Sequence, residues 1–373
     1  MNNKKMWLGA SFAALYLASA GAYALNESKP LSKGTEYLAV ANYPDNLHII
    51  DVTKDKLVKT CKIPGKFGPG TVVMSPDKNR AYVLGNGFSE VFGFNVDNCE
   101  IEFRAKFSQQ RNEEARSMFS FTVSADGKEV YVVNNPVLKF SEHYEVKQPR
   151  LFVYDANGGT DAKPIRKFPM PRQMYIMQAA DDGSIYIAGA DIYKVDVHTG
   201  KYEVAIPVRN WKRENYGAPD VLYFWPHQQK NRDFSILYTA PKFKDAKQDM
   251  ETADFKYGFY NVNLATGKTE TIDFAPVEEI YFTGYRDPKD SNTMFAVLNR
   301  LTKYDIKGEK LLQAQELDHT YYCITFNDKA DKMYLVGTLN DISIHDPQSL
   351  KKIGSIKLPG GDMAITTAQT FIR

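Results

Sequence analysis

The chain has 373 residues, enough for one large all-β domain or two ordinary ones, so length leaves the domain count to be settled by internal repeats. Its 47 Lys plus Arg against 45 Asp plus Glu give a net charge of +2, and no run of five basic residues occurs, so nothing points to nucleic acid as a partner. Aromatic residues make up 13% of the chain, with 23 Tyr and 22 Phe, a composition that favours packed strands over helices and argues against disorder.

The first predicted element is a secretory signal peptide over residues 1–24. Lys4 and Lys5 precede an apolar run that ends in Ala22-Tyr23-Ala24, an A-x-A cleavage pattern. A membrane anchor is the competing reading, but the run is shorter than the roughly 20 residues a bilayer requires. No later segment is apolar enough to span, so the mature chain, 25–373, is expected to be soluble and periplasmic. An oxidising compartment permits Cys61 to pair with Cys99. The repeat register sets the two at different heights on neighbouring outer strands, which argues against closure and leaves the bridge open. Cys323, in "YYCITF", reads as a small buried hydrophobe.

Along the chain a unit recurs: a short apolar segment, an Asp-containing turn, then a Tyr-centred run of alternating apolar residues, the period-two signature of a half-buried strand. It appears as "MSPDKNRAYVLG" at 74–85, "TVSADGKEVYVVN" at 122–134, "QAADDGSIYIAG" at 178–189 and "TFNDKADKMYLVG" at 325–337. A hairpin follows each unit, and seven such hairpins occur, at 47–63, 91–107, 151–168, 192–208, 258–274, 301–317 and 342–358. Their turns open on Asp51, Asn95, Asp155, Asp196, Asn263, Asp305 and Asp346, short polar side chains suited to turn formation. The spacings of 44, 60, 41, 67, 42 and 41 match one propeller blade each, with two blades carrying insertions. Only one strand, 36–42, precedes the first hairpin, while a spare strand, 363–372, follows the last. Ring closure by that C-terminal strand predicts an all-β fold, a seven-bladed propeller of four-stranded antiparallel blades.

Because strands alternate direction within a blade, the second-to-third-strand loops and the blade-to-blade linkers emerge on one face. Both large insertions, 135–150 and 242–258, and the long linkers 108–118 and 209–220, fall there. The same face receives the starts of the innermost strands, which predicts a rim of Trp211, Tyr216, Trp225, His319, Tyr321 and Tyr322, with Asp220 beside it. Ordinary packing between blades is the competing account of each residue taken singly.

Self-contained chemistry is not visible. The six histidines are scattered without an H-x-x-x-H or H-E-x-x-H pair, no C-x-x-C-H haem motif occurs, and no P-loop, G-x-S-x-G or G-x-G-x-x-G stands in its proper context. Asp126-Gly127 and Asp182-Gly183 read as turn formers.

The segments "NPVLKFSEHYEVKQPRLFVYDA", "YGAPDVLYFW", "DHTYYCITF" and "GTLNDISIHDPQSLKKIGSIKLPG", with the seven-hairpin layout, resemble the β subunit of bacterial quinohemoprotein amine dehydrogenase over essentially the whole mature chain. The heavy subunit of methylamine dehydrogenase is a more distant propeller relative. The resemblance implies a periplasmic heterotrimer that oxidatively deaminates primary amines to aldehydes. It implies a diheme cytochrome c α subunit carrying the c-type haems, and a small γ subunit carrying cysteine tryptophylquinone. Electrons would pass to a soluble acceptor, azurin or a cytochrome c. The amine would form a Schiff base with the quinone, a γ-subunit carboxylate would abstract a proton, and hydrolysis would release aldehyde. This chain would hold no cofactor, metal or catalytic residue. Its part would be to dock γ and the diheme subunit, exclude water and shape the amine pocket.

Two other readings stand beside this one. A free-standing metal-dependent lactonase-like hydrolase would need converging ligands at the axial opening, for which Asp220 and His319 are the only tempting pair. A pure interaction module without an associated enzyme would need nothing more than the fold.

Overall fold

The computed structural model describes residues 29–66, 68–222, 227–228, 230–363 and 367–373. The predicted signal peptide and its cleavage site lie outside the described residues. Seven antiparallel sheets follow one another around a ring, and no α-helix occurs among the described residues. The first blade takes its innermost strand from the far end of the chain: Ala368–Ile372 pairs with Glu36–Asn42, Val40 opposite Ala368 and Glu36 opposite Ile372. The closing strand also reaches sideways. Thr370 Oγ1 donates to Phe326 O in blade seven at 2.9 Å, while Gln369 Oε1 accepts the Met74 N–H of blade two at 2.8 Å. The edges that an open ring would leave are thus consumed.

Apolar side chains on alternate strand positions bury themselves between successive blades, giving seven interblade cores rather than one. All seven hairpin openers work as turn formers. Asp51 Oδ1 accepts Thr53 N at 2.9 Å, Asn95 Oδ1 accepts Asp97 N at 2.8 Å and Asp155 Oδ1 accepts Asn157 N at 2.8 Å. Asp196, Asn263, Asp305 and Asp346 hold His198 N, Thr266 N, Gly308 N and Ser349 N in the same way. Asp126 and Asp182 likewise cap the turns at Gly127 and Gly183, whose φ values of +74° and +84° suit glycine.

Two blades depart from four plain strands. The insertion at 135–150 is largely strand: Glu129–Lys139 overruns its blade, turns back as Tyr144–Val146 and also pairs with Glu113–Arg116, so blade three carries a three-stranded extension. In blade five Asp233–Lys242 and Asp254–Asn263 lengthen together, and the inner strand is broken into Asp220–Val221 and His227–Gln228. The elaborated loops are therefore stiffened by backbone ladders.

Cys61 and Cys99 form a disulfide, with Cα atoms 5.3 Å apart, against the expectation drawn from register. That expectation treated the blades as flat. Every blade has a register shift between its third and fourth strands, at Ile49/Ile50 in blade one and Gly93/Phe94 in blade two, and such bulges increase twist. The outer strand of blade one consequently lies across the hairpin turn of blade two, where Lys59 Nζ donates to Asp97 O. Cys99 sits in that turn, at φ +62°, not on a strand. Cys323 is buried as expected, and burial pushes its thiol up to about 12.

Candidate functional site

On the elaborated face, blades five and six leave a cleft of about 270 Å³, lined by Asp220, Val221 and Leu222, by Leu237, Tyr238, Thr239 and Tyr257, and by Val277, Ile280, Tyr281 and Phe282. One wall is the broken inner strand of blade five. The opposite wall is the linker that enters blade six. Tyr281 is pinned at both ends: its N–H donates to the Tyr257 hydroxyl at 3.0 Å and its own hydroxyl meets that of Tyr304 at 2.6 Å. Phe282 stacks on Tyr322, ring centroids 4.6 Å apart. Asp220 is exposed, and its carboxylate makes no hydrogen bond or ion pair with other described residues. The site thus offers an apolar, aromatic concavity with one free carboxylate at its edge, a combination suited to an organic cation with a short apolar body.

Behind Tyr238 stands a second cluster that is closed rather than open. Arg213 donates to both carboxylate oxygens of Asp273, at 2.7 and 3.0 Å, and the hydroxyls of Tyr216 and Tyr238 donate to the same group. Burial alone would raise the Asp273 carboxyl, but these four hydrogen bonds outweigh it and hold the group below its ordinary range. Burial, and then the bound Asp273 carboxylate, push both phenols up. The Arg213 guanidinium lies 4.0 Å over the Tyr216 ring, and Trp211 packs edge-on against Tyr216, Tyr238 and Tyr260 while its Nε1 donates to Gly217 O at 2.9 Å. This cluster fixes the linker between blades four and five against blade five.

The predicted rim is thus divided among three settings. Asp220 lines the cleft. Tyr322 adjoins it through Phe282, and Trp211 and Tyr216 back it through Tyr238. His319 and Tyr321 belong elsewhere: His319 Nε2 meets the Asp341 carboxylate at 3.0 and 3.1 Å, and the Tyr321 hydroxyl donates to Asp341 at 2.7 Å, an arrangement internal to blade seven. Trp225 lies outside the described residues. Asp220 and His319, the pair a metal-dependent hydrolase would need, share no partner, and among the described residues no three His, Cys, Asp or Glu groups are placed to hold a metal ion.

Sequence reasoning overlooked Tyr257, Tyr281, Phe282, Arg213 and Asp273. A signal for two of them was present. Tyr281-Phe282-Thr283 occupies the same position in blade six as Tyr321-Tyr322-Cys323 in blade seven, and the matching backbone bonds, Phe282 N to Val297 O and Tyr322 N to Val336 O, show the equivalence. Arg213 and Asp273 are 60 residues apart and carried no pattern.

The same face bears unusually exposed apolar side chains on its ladders and linkers, among them Tyr144 at 71% and Val146 at 60% in blade three, and Ile280 at 68% beside the cleft. No helix among the described residues is long and apolar enough to cross a membrane.

No protein-family model matches the sequence, and no curated protein matches it. Solved structures do. Hydrazine synthase from Kuenenia stuttgartiensis aligns with a TM-score of 0.51 and 12% identity over 82% of this chain and 90% of that one. Apo AztD from Citrobacter koseri aligns with a TM-score of 0.51 and 10% identity over 90% of this chain and 98% of that one. At such identities the likeness shows the fold alone.

Proposed function

We propose that this chain is the propeller subunit of a periplasmic quinohemoprotein amine dehydrogenase, in which it docks the quinone-bearing and diheme subunits and forms one wall of the amine pocket. The observation that carries the reading is the cleft between blades five and six, where the free carboxylate of Asp220 borders aromatic walls from Tyr238, Tyr257, Tyr281 and Phe282. A primary ammonium is matched by such a site: the carboxylate takes the charge while ring faces take the charge and the alkyl body. The exposed Tyr144, Val146 and Ile280 on the same face support a role in docking. Cysteine tryptophylquinone and c-type haems would reside on the partner subunits and supply the redox chemistry. This chain's residues bind and orient the amine and exclude water, which strengthens electrostatic and acid–base steps in the space they enclose.

The decisive experiment is purification of the native protein from a periplasmic extract of its source after growth on a primary amine. A co-eluting haem protein and a small quinone-staining subunit, with amine-dependent dye reduction, support the reading. A lone colourless propeller from cells that oxidise the amine overturns it in favour of a scaffold without associated enzyme.

A further inference from the structure

The opposite face carries a second and chemically different cavity. The innermost strands end there, and a space of about 210 Å³ opens on the propeller axis between residues of five blades. Its lining includes Lys78 from blade two, Thr122 from blade three, Gln178 and Asp181 from blade four, Arg232 from blade five and Gln369 from the closing strand.

We propose that this axial cavity binds a small oxyanion, a phosphate or carboxylate, held by the Lys78 ammonium, the Gln369 side-chain amide and the Thr122 hydroxyl, with Arg232 at its mouth.

Three observations converge on donors without acceptors. Gln369 is 2% exposed, and because its Oε1 accepts the Met74 N–H, the atom left over is the NH₂, which has no acceptor among the described residues. Thr122 is 4% exposed, and its hydroxyl makes no hydrogen bond with a described residue. Lys78 makes no ion pair or hydrogen bond through Nζ with a described residue, although it is half-buried in the turn at Ser75–Asn79. Gln178 Oε1, on the same lining, is a buried acceptor with no donor among the described residues, but the three donors outnumber it, and an acceptor with several lone pairs completes them.

The pairing of the charges agrees. Arg232 is paired with Asp181 and Lys230 with Asp328, so these four groups cancel. The charge of Asp77, next to Lys78, offsets that of Lys78 overall, but its oxygens are turned to Ser75 Oγ and to Asn79, so the Lys78 ammonium has no carboxylate in contact among the described residues. Burial, then the nearby Lys230 and Arg232 charges, hold its ammonium below the ordinary lysine range despite Asp77, a penalty that a bound anion would relieve. The volume corresponds to roughly seven waters at about 30 Å³ each, room for one oxyanion with part of its hydration.

The test is titration of the purified chain with sodium phosphate, sulfate, acetate or succinate against sodium chloride at fixed ionic strength. Binding is followed by calorimetry and by the thermal midpoint. A ligand that binds only the folded state raises that midpoint. Stabilisation by phosphate and sulfate alone identifies a tetrahedral anion, and stabilisation by acetate or succinate a carboxylate. Lys78→Met keeps the stem and removes the charge, Gln369→Glu keeps the acceptor for Met74 N–H and replaces the donor, and Thr122→Val removes the hydroxyl at nearly constant volume. Lys78→Met and Gln369→Glu each weaken binding by about tenfold or more, and Thr122→Val by several-fold. The midpoint in chloride reports whether each variant folds, and Lys78→Met, in a surface turn, decides the matter should a buried variant fail. Indifference of the natural chain to every oxyanion, or binding undiminished in Lys78→Met, overturns the proposal.

Discussion

Asp273 and Asp220 stand on either side of Tyr238, yet the fold treats them differently. Asp273 is buried and receives four hydrogen bonds, two from Arg213 and one each from Tyr216 and Tyr238. Asp220 is exposed at the edge of an apolar cleft. The contrast separates a carboxylate that the structure consumes from one that it leaves available. A carboxylate that is already fully hydrogen-bonded has nothing to gain from a ligand, whereas one bordering aromatic walls has much to gain from an organic cation.

Breaking the consumed side has the largest effect. Asp273→Ala leaves Arg213, the buried Tyr238 phenol and the half-buried Tyr216 phenol without their acceptor and is expected to cost about 3 kcal/mol, at the low end for a buried pair because Arg213 is partly exposed. Urea unfolding measures it, and a loss below about 1 kcal/mol would mean that the cluster is not structural.

His48 extends the comparison to histidines. Its Nδ1 and Nε2 are bound to Thr60 Oγ1 and Asn42 Oδ1, both at 2.9 Å. Burial, aided by the charge of Lys62, lowers the imidazole from its ordinary 6.5 to about 4, against a smaller opposing effect from Pro359. The neutral ring is therefore the native form. The stability this gives is present above pH 6.5 and is lost as pH falls from there through about 4. Between pH 7 and pH 4.5 the natural chain should lose about 2 kcal/mol more than His48→Gln, and equal losses in the two proteins would contradict the assignment. His345, bonded at both nitrogens to Ser343 and Leu350 and also lowered by burial, acts in the same direction.

Next in size is Tyr322→Ala, which removes the ring stacked on Phe282. Stability should fall by about 1 kcal/mol, and under the proposed amine dehydrogenase reading KM for amine should rise with a smaller change in kcat. An unchanged KM would mean that Tyr322 does not hold Phe282 in the pocket wall. Asp220→Asn sharpens the contrast most because its structural effect is smallest. Stability should stay within about 0.5 kcal/mol, while under the proposed reading KM for amine rises about tenfold, since the carboxylate proposed to pair with the ammonium is gone. A destabilised Asp220→Asn with unaltered KM would reverse the two roles.

Much of this molecule was legible in its sequence. Asp51, Asn95 and their five counterparts announced the seven hairpins because turn chemistry is local, and the spare strand at the C-terminus announced ring closure because an unpaired edge has to be covered. The elaborated face followed from strand alternation. The rim was legible only in part. Asp220 lines the cleft and Tyr322 stands behind it against Phe282, but His319 and Tyr321 are claimed by Asp341, a partner that no pattern marked.

Period-two alternation reports which side of a strand is buried, and turn residues report where it reverses, so repeats, blade count and closure are properties of the sequence by itself. Neither reports twist or which neighbour a side chain meets. The bulge in each blade that carried the outer strand of blade one across the turn holding Cys99 was decided only in three dimensions. So were the capture of Asp273 by Arg213 and the convergence of Lys78, Thr122 and Gln369 on one axis. The physical reason is the same in each case: these contacts join residues on different strands or blades, and their energies depend on distances set by the packing of the whole ring.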